Sequence, residues 1–101
     1  MRIPKKFTLA GIPIRVIAEP LADKKSVLGE ARYMEQVIAM DLEAAPRHTT
    51  EQAFCHELVH WIFFVLNEPD LRNNEKLVDT IAHLLYQFLE TQDHDDASDT
   101  E

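Results

Sequence analysis

Residues 54–66 read Phe-Cys-His-Glu-Leu-Val-His-Trp-Ile-Phe-Phe-Val-Leu, the most apolar long stretch of this chain. When the stretch is wound at about 100° per residue, its apolar side chains lie on almost every side, as in a helix buried on most of its surface. Three polar residues, His56, Glu57 and His60, interrupt it. Because burying an unpaired carboxylate is costly, these three groups are predicted to bind something.

His56 and His60 are four residues apart, so their rings lie on one side of the helix, one turn apart. Two imidazoles placed in this way can direct one nitrogen each at a single Zn²⁺ ion. Glu57 follows His56 directly and would lie beside such an ion, within reach of a water molecule on it. The alternative is that both histidines are core residues satisfied by the backbone or by neighbouring carboxylates.

A catalytic zinc site needs a third protein ligand. Glu75 and Asp79 are four residues apart on a second predicted helix, on the face that carries Val78. We interpret Glu75 as the third ligand and Asp79 as the acceptor for the free ring N–H of a liganding histidine. The alternative is that Glu75 begins an exposed helical turn. The other candidates for the third ligand are Glu68, Asp70, His83 and the acids of the C-terminal tail.

The first half of the chain alternates between apolar and polar residues, which predicts strands. Residues 7–17 fit a strand with a bulge, or a hairpin, near Gly11. Residues 26–33 and 36–42 fit two further strands, and residues 20–25 a loop. The predicted fold class is therefore α+β, with a small three-stranded antiparallel sheet followed by two helices packed on one of its faces.

Both helices have recognisable ends. Thr49 and Gln52 resemble a capping box, so the first helix is predicted to start at Thr50 and to run to about residue 66. The second helix fits residues 74–90, where apolar residues recur at helical spacing. On the first helix, Trp61, Phe63 and Phe64 could line a side-chain pocket, although aromatic residues on a buried helix are more commonly core.

Composition limits the functional class. The chain has 101 residues and a formal net charge of −8, and six of its 18 acids follow residue 89. We expect one domain over residues 1–90 and a disordered acidic tail over residues 91–101. The nearly neutral body argues against nucleic-acid binding, and no apolar run is long enough for a membrane span. A single cysteine, Cys55, excludes an internal disulfide, so we expect a soluble, cytoplasmic protein.

The sequences His56-Glu57-Leu58-Val59-His60 and Asn74-Glu75-Lys76-Leu77-Val78-Asp79 together resemble the two motifs of the gluzincin metallopeptidases, HExxH and NExxxD. The short spacing and the short chain are most similar to the minigluzincins, one-domain peptidases, and to the ImmA/IrrE-like phage peptidases. This resemblance implies one Zn²⁺ per chain held by His56, His60 and Glu75, with Glu57 as the general base and Asp79 supporting a zinc-binding histidine. It also implies a peptidase that cuts within polypeptides.

The resemblance carries three further expectations. Gluzincin substrates lie extended along the edge strand that precedes the HExxH helix, here residues 36–42, with Gln36, Val37, Ile38, Ala39 and Met40 as candidate substrate-binding residues. Some minigluzincins are latent, and the tail with His94 could compete for the metal, although a solvated acidic end is the simpler interpretation. Tyr33, Tyr86 and His83 are candidates for stabilising the oxyanion, and none is assigned.

Two other functions fit the same residues. A zinc-binding but non-proteolytic accessory or regulatory module, such as a phage protein, would use the site for structure or for binding a partner. Glu57 favours the enzyme, since a purely structural site has no use for a carboxylate beside the metal. A metal-free helical interaction domain with chance motif residues is the third possibility. The particular substrate and the oligomeric state do not follow from the sequence.

Overall fold

The computed structural model describes residues 1–93 and has an α+β fold. The predicted tail falls largely outside the described residues, which end before His94, and Thr91 is the last residue of a helix. The elements, in chain order, are β1 (Lys6–Leu9), β2 (Ile12–Ala18), α1 (Ala22–Lys25), β3 (Gly29–Arg32), β4 (Val37–Met40), α2 (Arg47–Val65), α3 (Pro69–Arg72) and α4 (Glu75–Thr91).

The sheet has four strands in the order β1-β2-β4-β3, and it is mixed. The prediction of three antiparallel strands is therefore wrong in detail. Of the two alternatives for residues 7–17, a bulged strand or a hairpin, the structure has the hairpin. Ala10 and Gly11 both adopt positive φ angles and reverse the chain between β1 and β2. The β3–β4 hairpin then joins the sheet through β4, which pairs parallel to β2 and antiparallel to β3.

Strand β4 lies inside the sheet, and all four of its residues are buried. Because its backbone pairs with a strand on each side, it cannot accept a substrate as an added strand. The prediction that residues 36–42 form an edge strand is therefore wrong, and with it the reason for expecting substrate to bind along Gln36, Val37, Ile38, Ala39 and Met40. Strand β3 is the edge of the sheet on this side.

The predicted loop at residues 20–25 contains the short helix α1. The N-terminus of α1 is capped by a side chain from another part of the chain: Asp41 Oδ2 accepts hydrogen bonds from the backbone N–H groups of Leu21 (2.9 Å) and Ala22 (3.0 Å). These bonds hold the pKa of Asp41 below its usual range. A cap supplied by a residue 20 positions away leaves no local pattern in residues 20–25.

The two long helices fall where the sequence places them, with one difference. Helix α2 starts at Arg47 rather than Thr50, because the backbone carbonyl of Pro46 accepts from the N–H groups of Thr49 (3.0 Å) and Thr50 (3.1 Å). The predicted capping box is therefore absent. Helix α4 starts at Glu75, as predicted to within one residue, and is capped by Asn74, whose side chain accepts from the N–H of Leu77.

Helix α2 lies between the sheet and α4, and so carries two cores. The sheet-side core consists of Ile14, Ile38, Met40, Phe54 and Trp61, and the helix-side core of Cys55, Val59, Phe63, Val78 and Ala82. Trp61 and Phe63 are therefore core residues. Within residues 1–93, no helix combines the length and apolar character needed to cross a membrane.

Candidate metal centre

Helices α2 and α4 bring two histidines and one carboxylate together. Nε2 of His56 lies 3.1 Å from Oε2 of Glu75, and Nε2 of His60 lies 3.1 Å from Oε1 of the same carboxylate. One ligand atom from each residue lies within 4.8 Å of the other two. Two ligands of a tetrahedral zinc ion, each roughly 2.0–2.1 Å from the metal, are about 3.3 Å apart. The spacing and the chemistry of the three donors both suit Zn²⁺.

Packing of the helix-side core fixes this geometry. Cys55 and Val59 of α2 are fully buried against Val78 and Ala82 of α4, so the two helices cannot rotate freely against each other. The histidines lie next to these core positions on α2. Asn74 starts α4 and thereby places Glu75 in its first turn, opposite the histidine pair.

Both histidine rings are oriented by a second contact. Oδ1 of Asp79 lies 3.3 Å from Nδ1 of His56, so Asp79 can accept the Nδ1 proton when Nε2 binds a ligand. The His60 ring hydrogen-bonds the backbone of Arg72, and burial lowers the pKa of His60, against the opposing effect of Glu75. For His60, burial therefore favours the neutral imidazole that a metal requires.

The side chains of Glu75 and Asp79 are more exposed than an inward-facing position implies, at 67% and 56% respectively. They belong to the first two turns of α4, where the groove between the helices opens to solvent. His56 and His60 are only 22% and 13% exposed. The predicted juxtaposition is present, and it lies at the mouth of a cleft rather than inside the core.

Glu57 lies beside the histidines, against strand β3. Burial raises the pKa of Glu57 to about 7, while His56 and a hydrogen bond from the backbone of Ala31 act in the opposite direction. The carboxyl group thus reaches the free edge of β3. Gly29 makes this approach possible, since a Cβ atom there would lie 3.0 Å from Cγ of Glu57 and 2.9 Å from Sδ of Met40.

Two cavities of about 330 Å³ each meet at Glu57 and Gly29, with Val27 shared between them. The first cavity extends past His60 toward Tyr33 and Arg72. The second extends past His56 toward Asp79 and is also lined by Leu28, Thr49, Gln52 and Ala53. Together they form an open cleft that passes Glu57 and has room for a chain on each side of it.

The other predicted candidates lie in different places. Tyr33 lines the first cavity, and burial raises its pKa, which keeps its hydroxyl protonated. His83 is 61% exposed and lies 3.5 Å from Asp79. Tyr86 lies apart from the cleft, where its hydroxyl donates to Glu51 (2.9 Å) and contacts Nδ1 of His48 (2.8 Å). His94 lies outside the described residues.

His48, Glu51 and Glu90 form a second group of possible ligands. Its carboxylates already have cationic partners, because Arg47 pairs with Glu51 at 3.0 Å and the Met1 amino group pairs with Glu51 and Glu90. The charge of this group is therefore balanced by the protein itself.

Among the residues of the cleft that the sequence did not reveal are Gly29 and Arg72, and Phe64 beside them was expected to be a core aromatic. Phe64 is 37% exposed and its ring stacks on Tyr33 with a centroid distance of 4.3 Å. Arg72 lies against both rings. No local sequence pattern marks the contacts among Tyr33, Phe64 and Arg72, because α3 brings Arg72 to the two rings only in the folded chain.

Comparison with known proteins adds no relative: no family model, no curated protein and no solved structure matches this chain. The resemblance to the gluzincins therefore depends on residues 56–79 and on the geometry that these residues adopt. Family membership remains a prediction.

Proposed function

We propose that the protein is a zinc-dependent metallopeptidase that cuts within polypeptides. The observation that carries the proposal is that the Nε2 atoms of His56 and His60 each lie 3.1 Å from one oxygen of the Glu75 carboxylate, while Glu57 lies next to them in an open cleft. A structural site would need no acid of this kind beside its ligands.

His56, His60 and Glu75 would hold the ion, with Asp79 orienting His56. When bound, Zn²⁺ would polarise the carbonyl of the substrate and acidify water. Among residues 1–93, the one group of possible ligands at this cleft contains three residues. A set of three leaves a coordination position for solvent or substrate, as catalytic sites require and four-ligand structural sites lack. This favours the enzyme over the non-proteolytic zinc module.

Glu57 would act as the general base and then as the general acid. In the metal-free protein burial raises the pKa of Glu57 to about 7, and a cation bound beside it would favour the carboxylate that a general base needs. It would take a proton from the attacking water and return it to the amine that leaves when the peptide bond breaks. The Ala31 backbone and Gly29 hold it beside the free edge of β3.

We propose β3, in place of β4, as the strand along which a polypeptide binds. Its outer edge is unpaired within the described residues, so backbone groups there can hydrogen-bond an extended peptide. The two cavities that meet at Glu57 lie next to Gly29 at the start of this strand. A bound chain would therefore pass the general base.

Metal content and hydrolysis test the proposal together. The purified protein should contain one zinc ion per chain by mass spectrometry of the metal and should cleave denatured casein, with loss of cleavage in a chelator and recovery on adding zinc. Glu57→Gln should retain zinc and lose hydrolysis, while His56→Ala, His60→Ala and Glu75→Ala should each lose zinc. His83→Ala, which changes an exposed histidine at the cleft mouth, is the control.

Two results would contradict the proposal. Zinc bound at full occupancy with no cleavage of any polypeptide would favour the accessory module. If the purified protein contains no metal and excess zinc does not change its melting temperature, the metal-free interaction domain would be the favoured function.

A further inference from the structure

Arg72 is a cation at one end of the cleft. It is the last residue of α3 and lines the same cavity as Glu57 and His60. Within residues 1–93, no carboxylate forms an ion pair with its guanidinium. The contacts of the guanidinium carbon are instead with the rings of Tyr33 and Phe64, whose centroids lie 5.3 Å and 5.6 Å away.

These aromatic contacts hold the side chain without using its hydrogen-bonding capacity. The two rings are stacked on each other at an interplanar angle of 10°, so they form a rigid support for the guanidinium. An aromatic ring offers no oxygen to an N–H donor. Arg72 therefore presents a positioned cation to the cavity with its planar set of donors available.

Two other arginines of the described chain contrast with Arg72. Arg32 pairs with Glu19, Glu30 and Glu35, and Arg47 pairs with Glu51. In a chain of net charge −8, carboxylates are plentiful, yet the arginine that lines the cleft has none of them as a partner within residues 1–93. A partly buried cation gains most from a partner that arrives with its own negative charge.

We propose that Arg72 binds a carboxylate of the polypeptide substrate, so that the protein prefers peptides with negative charge on the side of the scissile bond that lies toward α3. This inference rests on the proposed function. The carboxylate can belong to an Asp or Glu side chain or to the C-terminus of the peptide, and both have the planar geometry that a guanidinium binds with two hydrogen bonds.

Binding, measured without turnover, is the main test. Cleavage sites in denatured casein would first be mapped by mass spectrometry with the wild-type protein. Fluorescently labelled peptides of one cleaved sequence would then carry Glu, Gln or Lys at each position flanking the bond, each with a free or an amidated C-terminus. Their dissociation constants would be measured by anisotropy on the zinc-loaded Glu57→Gln protein, with and without Arg72→Gln.

Arg72→Gln should weaken binding of the preferred acidic peptide by about tenfold or more and change binding of its Gln counterpart by less than about twofold. Arg72→Glu should reverse the preference toward the Lys peptide. Arg15→Gln, which removes the same charge from an exposed position on β2, is the matched control and should change neither. If amidation removes the preference, the carboxylate is the C-terminus; if the Glu-to-Gln change removes it, the carboxylate is a side chain.

The salt dependence of peptide binding tests the same proposal without a substitution at Arg72. Binding of the acidic peptide should weaken as salt rises, while binding of its Gln counterpart changes little. Equal binding of Glu and Gln peptides and of free and amidated C-termini, or equal weakening of all of them by Arg72→Gln, would overturn the role of Arg72. Hydrolysis of neutral peptides would then still stand as evidence for the peptidase. Absence of both zinc and cleavage would overturn both proposals together.

Discussion

The backbone of Gly29 lies directly against the side chain of Glu57: a Cβ atom on Gly29 would come within 3.0 Å of Glu57 Cγ and 3.5 Å of its Oε2. Strand β3 and helix α2 thus meet where one of them lacks a side chain. The contact positions the carboxyl group that we propose as the general base. Residue 29 therefore affects the chemistry although glycine offers no functional group of its own.

Gly29→Ala should lower kcat by on the order of 10- to 100-fold while zinc affinity changes little, because the added methyl group displaces Glu57 but touches no proposed ligand. Gly11→Ala is the matched control. Gly11 has a φ of 79° with nothing within 4 Å of an added Cβ, so alanine there should cost stability through backbone strain and leave kcat unchanged. Steady-state kinetics, zinc titration and thermal melts would separate the two effects, and equal kcat in both variants would contradict this role of Gly29.

Asp79→Ala should weaken zinc binding by about 10- to 100-fold, since it removes the carboxylate that holds Nδ1 of His56. Competition with a chromophoric chelator would measure the affinity. His83→Ala tests the same carboxylate from its other side, because His83 lies 3.5 Å from Oδ2 of Asp79. It should leave the affinity within about twofold. Wild-type affinity in Asp79→Ala would show that Asp79 does not orient the histidine.

Tyr33→Phe should reduce kcat by about 10- to 100-fold without loss of zinc, if the hydroxyl donates to the oxyanion that forms on the scissile carbonyl. Phenylalanine keeps the ring that stacks on Phe64, so the variant should fold normally. Tyr86→Phe is the control, because its hydroxyl bonds Glu51 and His48 away from the cleft. That variant should lose stability and keep its kcat. A Tyr33→Phe protein with wild-type kcat would remove Tyr33 from the reaction.

The meeting of His56, His60 and Glu75 was predictable because it is almost local. His56 and His60 share a face through helical periodicity, and Glu75 lies one short connection further on, at the start of a helix with a clear apolar face. Because a short connection keeps successive helices adjacent, the two motifs are expected to lie close together. Glu75 was thus expected opposite the histidines, where the structure has it, with its side chain and that of Asp79 largely exposed.

Sheet order was not predictable in the same way. Alternation identifies strands but does not say which strands become neighbours, since pairing depends on contacts distant in sequence. One signal was available: Val37 to Met40 is an unbroken apolar run, which is typical of an interior strand, whereas Gly29–Arg32 contains two charged residues. That contrast favours β3, rather than β4, as the edge strand. The positions of Asp41 and Arg72, by contrast, depend wholly on tertiary structure.

The raised pKa of Glu57 makes the stability of the metal-free protein depend on pH. A carboxyl group with a pKa of about 7 when folded and about 4.5 when unfolded binds more protons in the native state between these values, so the free energy of unfolding falls as pH rises through this window. Ionising the buried group at pH 8 then costs the native state about 3 kcal/mol. Glu57→Gln carries no charge at any pH and avoids this cost.

Urea denaturation of both metal-free proteins between pH 4 and pH 8.5 would measure the effect. Relative to the wild type, Glu57→Gln should gain stability as pH rises, with the change concentrated between pH 4.5 and pH 7 and levelling off above it. Glu35→Gln, a substitution of a 64% exposed glutamate in the β3–β4 turn, is the control and should show a much smaller dependence. If the free energies of unfolding of Glu57→Gln and wild type differ by a constant amount across the whole pH range, Glu57 has an ordinary pKa. A group changes the pH dependence of unfolding only when its pKa differs between the folded and unfolded states.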